Sequence, residues 1–314
     1  MTFRVKRLLE HYKSNGSINQ ADKLLFTGVG DRDVYNITAP FLDQGEEVIA
    51  GRVEGRDTEN SDVIFFIKEG NAWRPREGAP VYNLQDPFVT EIHGQLVFGG
   101  VKISRGENGG LSWKTVFYKG SSINGLQPFT EGPQGMKDIR LVELENHKIG
   151  VFTRPQGEKG GRGKIGYTEV ERLEQLTPLI MDQASLVKNH FSDEEWGGAN
   201  ELYLLKNGVI GVLGHIACFA DKGNRNYYPF VCRYCRESNK LTDMRIIAAR
   251  SDFPEGEAKR SDLRNVLFSG GMTQLENGQV ELYVGVSDAE AHKAVMPNPF
   301  DLINAISINE RGEG

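Results

Sequence analysis

Apolar and polar positions alternate along most of the chain in short runs bounded by glycine, asparagine or aspartate, the pattern of half-buried strands joined by tight turns. The clearest unit is NLQDPFVTEIHGQLVFGGV at 83–101. A strand over 88–92 meets the turn pair His93-Gly94 and returns over 96–101, so both ends of the hairpin finish at one edge. Hairpins of the same kind are expected at Gly45 (LDQGEEVIAGRVE), Asn146-His147 (ENHKIGVFTRP), Gly208 (LKNGVIGVLGHIA) and Gly278 (LENGQVELYVGVSDA). About eight residues before each turn, on the strand period of two, stand Asn36, Asp86, Asp138, Asn200 and the pair Gly270-Gly271. About seven to ten residues after each turn stand Arg52, Lys102, Arg154, His215 and Asp288. Repetition therefore gathers polar entrances and ionisable exits at one place. Proline fixes its own φ and pushes its predecessor toward extended backbone, so Pro87 is expected to hold Asp86 extended at a strand entrance.

The segment 1–17 reads as a short amphipathic helix, in an N-terminal extension of about 1–20, and 23–29 begins the β region. Outer strands are expected from 61–67 and Trp73 in the first unit, and from 107–118, with a glycine-rich turn, in the second. The stretch 173–191 reads as a helix or an irregular connector, and the basic loop 156–163 as a flexible surface loop or lid beside Arg154. The fourth unit starts near 196–200 and runs through Tyr227, Tyr234 and Met244; the fifth runs from Asn265 to Ile308. Units of about fifty to seventy residues match propeller blades. The expected fold is all-β, a single five-bladed β-propeller domain over 1–314 with a short N-terminal helix, whose first strands line a central channel. Gly28 and Gly30 are followed by no helical pattern, which excludes a dinucleotide loop.

Composition narrows the function. With 314 residues, 39% hydrophobic, 25% charged and 37 glycines, the chain has the material for a turn-rich globular core. A net charge of −6 with scattered basic residues argues against nucleic acid, and no apolar run is long enough for a membrane span. Charges interrupt the apolar positions at the start and no small-residue cleavage site follows, so no secretory signal and a cytoplasmic location are expected. The three cysteines are expected as thiols; Cys232 and Cys235 lack a second ligand pair for zinc and read as two buried thiols. No metal or cofactor is expected, and homo-oligomerisation is left open.

At the shared mouth the pattern collects carboxylates Asp86, Asp138, Glu201 and Asp288, cations Arg52, Lys137 and Arg154, and Asn36 and His215. Any one of them could cap a turn or pair with a neighbour on the surface. Together they suit a polyhydroxylated, anionic or phosphate-assisted substrate rather than an apolar one.

The motifs then resemble the five-bladed mannoside phosphorylases of glycoside hydrolase family 130. Asn36 in YNIT resembles that family's first-blade Asn-Pro-Ala, and Gly51-Arg-Val-Glu54 with Ser61 resembles its Arg-Val-Glu and serine. Asp86-Pro87 is similar to its Glu-Asp-Pro-Arg, Lys137-Asp138 through Arg154-Pro155 to its third blade, Gly197-Gly-Ala-Asn200 through His215 to its fourth, and YVGVSD ending at Asp288 to its last-blade Tyr-Gly-Ala-Ala-Asp. Gln85, Phe88 and the Gly214-His215-Ile216 context depart from the pattern. They point to the divergent mannosyltransferase–phosphorylase branch, which includes bacterial proteins of unknown function.

The resemblance implies Asp86 as catalytic acid. It implies sugar contacts from Asn36, Arg52, Ser61, Asp138, Asn200, Glu201 and Asp288, and phosphate contacts from Arg154 and His215, to which position adds Lys137. Inorganic phosphate would be a co-substrate, and the partners would be a mannose-containing oligosaccharide and phosphate or a sugar phosphate. As an acid, Asp86 is expected to have a raised pKa. Three other readings stand beside this one: a hydrolase with Asp138 or Glu201 as base, a transferase using nucleotide-linked mannose, and a sugar-binding propeller without catalysis.

Overall fold

In the computed structural model, which describes residues 2–16, 18–105 and 110–301, the expected hairpin turns all form. Gln44-Gly45, His93-Gly94 and Asn207-Gly208 each take two consecutive positive φ values, the backbone that two-residue hairpin turns require. His147 and Gly278 turn with positive φ at the remaining two. The second unit's expected turn at 107–110 falls largely on residues outside the described ones, as does Ile308.

Each hairpin is the inner half of an antiparallel group. The first runs from Asp33–Tyr35 and Phe41–Asp43, both paired with Glu46–Glu54, to Ser61–Glu69 and Ala72–Pro75. The second holds Gln85–Ile92, Gln95–Arg105, Leu111–Gly120 and Gln127–Glu131. The third holds Arg140–Glu143, Ile149–Thr153, Gly166–Val170 and Ser185–Leu186. Trp196–Leu204, Ile210–Phe219, Arg225–Cys235 and Lys240–Ile246 form the fourth. Asn265–Gln274, Gln279–Val286 and Glu290–Pro297 form the fifth, whose outer strand is Gln20–Lys23 from near the N-terminus. A short parallel pairing, Asn226 with Asn265 and Tyr227 with Val266, fuses the last two groups into one sheet.

The strands are apolar on both faces because both faces are covered. Along Glu46–Glu54, Val48 and Ala50 join a cluster with Leu84 and Phe98 of the second group, while Ile49 and Val53 join one with Tyr283 and Ala291 of the fifth. Further clusters lie between the second and third groups, the third and fourth, and the fourth and fifth. Packing thus runs cyclically, with the last group returning to the first. Gly270 sits at that return: a Cβ there would lie 1.6 Å from the Ile37 carbonyl oxygen. Gly270→Ala is expected to lower stability by about 1–3 kcal/mol or more, the usual cost of overpacking, read as a lower melting temperature.

The helix Val5–Asn15 docks Val5 and Tyr12 on the cluster between the third and fourth groups. The stretch 173–191 contains the helix Pro178–Gln183, started by Pro178 and capped by Thr177, whose Oγ1 accepts from Ile180 N. Of the two thiols expected to be buried, Cys232 is and Cys235 is half-exposed, because residues three apart on a strand face opposite sides. Among the described residues, no helix is long and apolar enough to cross a membrane.

Candidate active site

The entrances share a backbone irregularity that alternation alone does not reveal. Asn36, Asp86 and Asp138 have φ of 44°, 49° and 58°, and the ladders slip by one residue at Asp86-Pro87, Asn200 and Gly270. Asp86 is therefore left-handed, not extended as Pro87 suggests. Aspartate and asparagine tolerate this region, and a bulge re-aims a side chain out of the alternating register.

The left-handed backbone at Asn36 and at Asp86, the latter in a bulge, brings these two side chains to one cavity of about 240 Å³. Of the sequence candidates, Asn36, Arg52, Asp86, Lys137, Arg154, His215 and Asp288 line it. Ser61, Asp138 and Asn200 stand behind them, and Glu201 lies elsewhere. Lys102 is exposed and takes no part. The cavity adds Glu59, Arg225, Tyr227, Lys259 and Arg260, which the hairpin count does not reach because they lie on outer strands and connectors.

On one side, Asp86 Oδ1 accepts from Asn36 Nδ2 at 2.8 Å and Arg52 Nη1 at 3.1 Å. Arg52 Nε and Nη2 reach Glu54 Oε2 at 2.9 and 2.6 Å, and Nε also reaches Ser61 Oγ at 2.9 Å. Ser61 and Lys259 both bond to Glu54, and the Arg52 guanidinium lies 4.9 Å from the Tyr35 ring centre. The Tyr35 hydroxyl is buried without a hydrogen-bond partner among the described residues. This network fixes Asp86 in direction and charge. Burial pushes its carboxyl up, but Arg52, Lys137 and the Asn36 hydrogen bond outweigh burial and hold it below the ordinary carboxylate value. The expected raised pKa of Asp86 is not found. Within this cavity the raised carboxyl is Asp288, lifted by burial and by Asp86 against the pull of Arg52.

On the other side, Arg154 is the central cation. Its Nη1 lies 3.3 Å from Asp138 Oδ2, Nε donates to Gly197 O at 2.9 Å, and Nη2 to Arg162 O at 3.3 Å. Gly198 is needed beside it, since a Cβ there would meet Arg154 Cδ at 2.7 Å. Burial would raise Asp138, yet Lys137 and Arg154 bring it down to about 2, so it is the fixed counter-charge of the clamp. The loop 156–163, expected as a flexible surface loop or a lid, is held at Arg162: its carbonyl also accepts from Gln156, and its guanidinium covers Trp196 and Phe219.

His215 stacks on Tyr227 with ring centres 5.5 Å apart, and its Nδ1–H donates to Asn200 Oδ1 at 2.8 Å. Burial takes its pKa down to about 3, so it is neutral near pH 7, with Nε2 left as an acceptor. Buried polar atoms without a hydrogen-bond partner among the described residues gather here: Asn36 Oδ1, both Asp138 oxygens, Arg154 Nη1 and Asn200 Nδ2. Such atoms call for water or ligand. The lining itself is cationic, with Arg52, Lys137, Arg154, Arg225, Lys259 and Arg260 against Glu59, Asp86 and Asp288, while Glu54, Asp138 and Asp262 behind it pair with Arg52, Lys259, Arg154 and Arg260. Among the described residues, no three His, Cys, Asp or Glu side chains assemble as a metal-ligand set.

Residues 10–302 match the family described as "Protein of unknown function (DUF1861)". No curated protein matches the chain in sequence. Among solved structures, MPT-4, a mannose phosphorylase from Leishmania mexicana in complex with phosphate ion, is 30% identical with a TM-score of 0.88, over 95% of this chain and 94% of its own. MPT-1, a GDP-Man-dependent mannosyltransferase from the same organism, is 32% identical with a TM-score of 0.87, over 95% and 96%. A β-1,2-mannobiose phosphorylase from Listeria innocua shares the fold at 12% identity and a TM-score of 0.62, over 89% and 91%.

Proposed function

The chain belongs to the DUF1861 family, in the mannose phosphorylase and mannosyltransferase group of its Leishmania relatives, and we propose that it is an inverting mannoside phosphorylase. It would cleave β-mannosides with phosphate, or build them from α-mannose 1-phosphate. In the same reading the five strand groups are the blades of a propeller, and the cationic cavity is the mouth of its channel.

One observation carries the choice of phosphate over water. An inverting hydrolase needs a second carboxylate to activate water across from its acid. Asp138, the first base candidate, is held against Arg154 as a counter-charge, Glu201, the second, is outside the cavity, and the other carboxylates of the lining, Asp288 and Glu59, stand with Asp86 around Arg52 rather than across from it. The cavity instead offers Arg154 and Lys137, which suit an anionic nucleophile that needs no base. Neutral His215 fits the same ligand: its Nε2 accepts from the P–OH of hydrogen phosphate. A phosphate oxygen attacks the anomeric carbon from the face opposite the glycosidic oxygen, and the departing oxygen takes a proton that originates on Asp86.

The ionised state of Asp86 in the free protein gives this chemistry a direction. Synthesis needs Asp86 as a base that receives the acceptor hydroxyl's proton, and it is already set for that. Phosphorolysis needs it protonated, and a phosphate anion beside Lys137 weakens the positive field that keeps Asp86 ionised. Since kcat/KM reports the free protein, its acid limb for synthesis is expected below the ordinary aspartate pKa of about 4. A pH–rate profile checks this once the second ionisation of α-mannose 1-phosphate itself, at about pH 6, is factored out; a further acid limb of the protein above the ordinary aspartate value contradicts it.

Incubating β-1,2-mannobiose and other β-mannosides with and without phosphate tests the reading. α-Mannose 1-phosphate should form only with phosphate. Free mannose released at equal rates without phosphate would identify a hydrolase.

A further inference from the structure

Glu201 lies along the first strands of the second, third and fourth groups, below the bulged entrances and toward the turns. There, with Phe88, Thr90, Arg140, Leu141 and Tyr203, it lines a second cavity of about 250 Å³, as large as the mouth. Arg140 is buried and has no carboxylate within 4.0 Å among the described residues. Its Nε donates to Asn200 O at 2.7 Å, its Nη1 to Ile139 O at 3.0 Å, and the guanidinium lies 4.3 Å from the centre of the Phe88 ring. Nη2 has no acceptor among the described residues. A buried cation satisfied by two carbonyls and a ring has no carboxylate in contact, only the longer-range pull of Asp138 and Asp86, and an anion at its free edge would complete that compensation.

Glu201 does not supply it. Its Oε2 faces away into bonds from Met272 N, at 2.9 Å, and from the Tyr203 hydroxyl. Burial takes its carboxyl up to about 8 against the pull of Met272 N and Arg140, so near neutral pH it is an uncharged acid with an O–H to donate.

We propose that this second cavity is a binding site for a small carboxylate anion, with Arg140 as its counter-charge and Glu201 as a hydrogen-bond donor. A planar carboxylate suits the free edge of a guanidinium better than a sphere of charge does. The site stands whether or not the mouth processes mannosides.

Acetate is the probe, and Arg154→Ala is the background, so that the clamp at the mouth does not compete. Acetate at millimolar concentrations should raise the melting temperature of that variant saturably. Adding Glu201→Gln, which keeps a donor, should preserve the effect; adding Arg140→Met should abolish it. A response that survives Arg140→Met, or no saturable response in the background, overturns the proposal. Should Arg140→Met fail to fold, bromide soaked into crystals of the unaltered protein decides: an anomalous peak beside the Arg140 guanidinium supports the site, and peaks confined to the mouth or surface overturn it.

Discussion

Asp86→Asn is expected to fold, bind its sugar and turn over about two to four orders of magnitude more slowly, the usual loss when a general acid–base is removed. Asparagine keeps the shape and an oxygen to accept from Asn36 and Arg52, and Arg52 remains bonded to Glu54 and Ser61. What disappears is the group that gives and takes the proton. A purely structural Asp86 predicts the opposite pattern. Breaking one side of a buried ion pair costs about 3–5 kcal/mol, whereas turnover per folded molecule would stay near that of the unaltered protein. Measuring kcat and melting temperature on this one variant separates the two, and an active, destabilised Asp86→Asn protein would end the proposed mechanism.

Arg154→Ala is expected to raise the KM for phosphate, and for α-mannose 1-phosphate, about 10- to 150-fold, with little change in the KM for the sugar acceptor. That range is the usual 1.5–3 kcal/mol of a hydrogen bond to a charged group. Arg154 is held from behind by Gly197 and Asp138, so its loss removes a cation fixed in place and leaves Lys137 and Arg225 in the lining. The variant should also melt lower at neutral pH. Asp138 has a depressed folded-state pKa, so its pairing stabilises the fold above the unfolded value and that stability is lost as pH falls through about 2. Without Arg154 the buried carboxylate is under-compensated, and the deficit against the unaltered protein should shrink on acidification. A change confined to the sugar KM would remove Arg154 from the phosphate site.

Much of this was legible in the chain because strand period and turn chemistry are local. The turns at Gly45, Gly94, His147, Gly208 and Gly278, and the convergence of Asn36, Asp86, Arg52, Arg154, His215 and Asp288, follow from counting outward from each turn. What counting misses is set by tertiary contact. The bulge at Asn200 leaves that residue behind His215 and sends Glu201 to the second cavity, so two adjacent candidates part company. Arg140 carries no turn or motif signal, and only its burial beside a cavity singles it out. Lys259 and Arg260 reach the mouth from a connector between the fourth and fifth groups, where no strand period applies. The pKa order of Asp86 and Asp288 was likewise beyond the sequence, because it depends on which carboxylate Arg52 touches.

If phosphate is a reactant, the synthetic direction must release it. The protein is incubated with α-mannose 1-phosphate and a panel of sugar acceptors, and inorganic phosphate is followed over time. Acceptor-dependent release matched by a new mannoside, and abolished by Asp86→Asn, is the predicted result. No release with any acceptor, alongside transfer from GDP-mannose by the same preparation, would contradict the account and make the cationic mouth a nucleotide-sugar site.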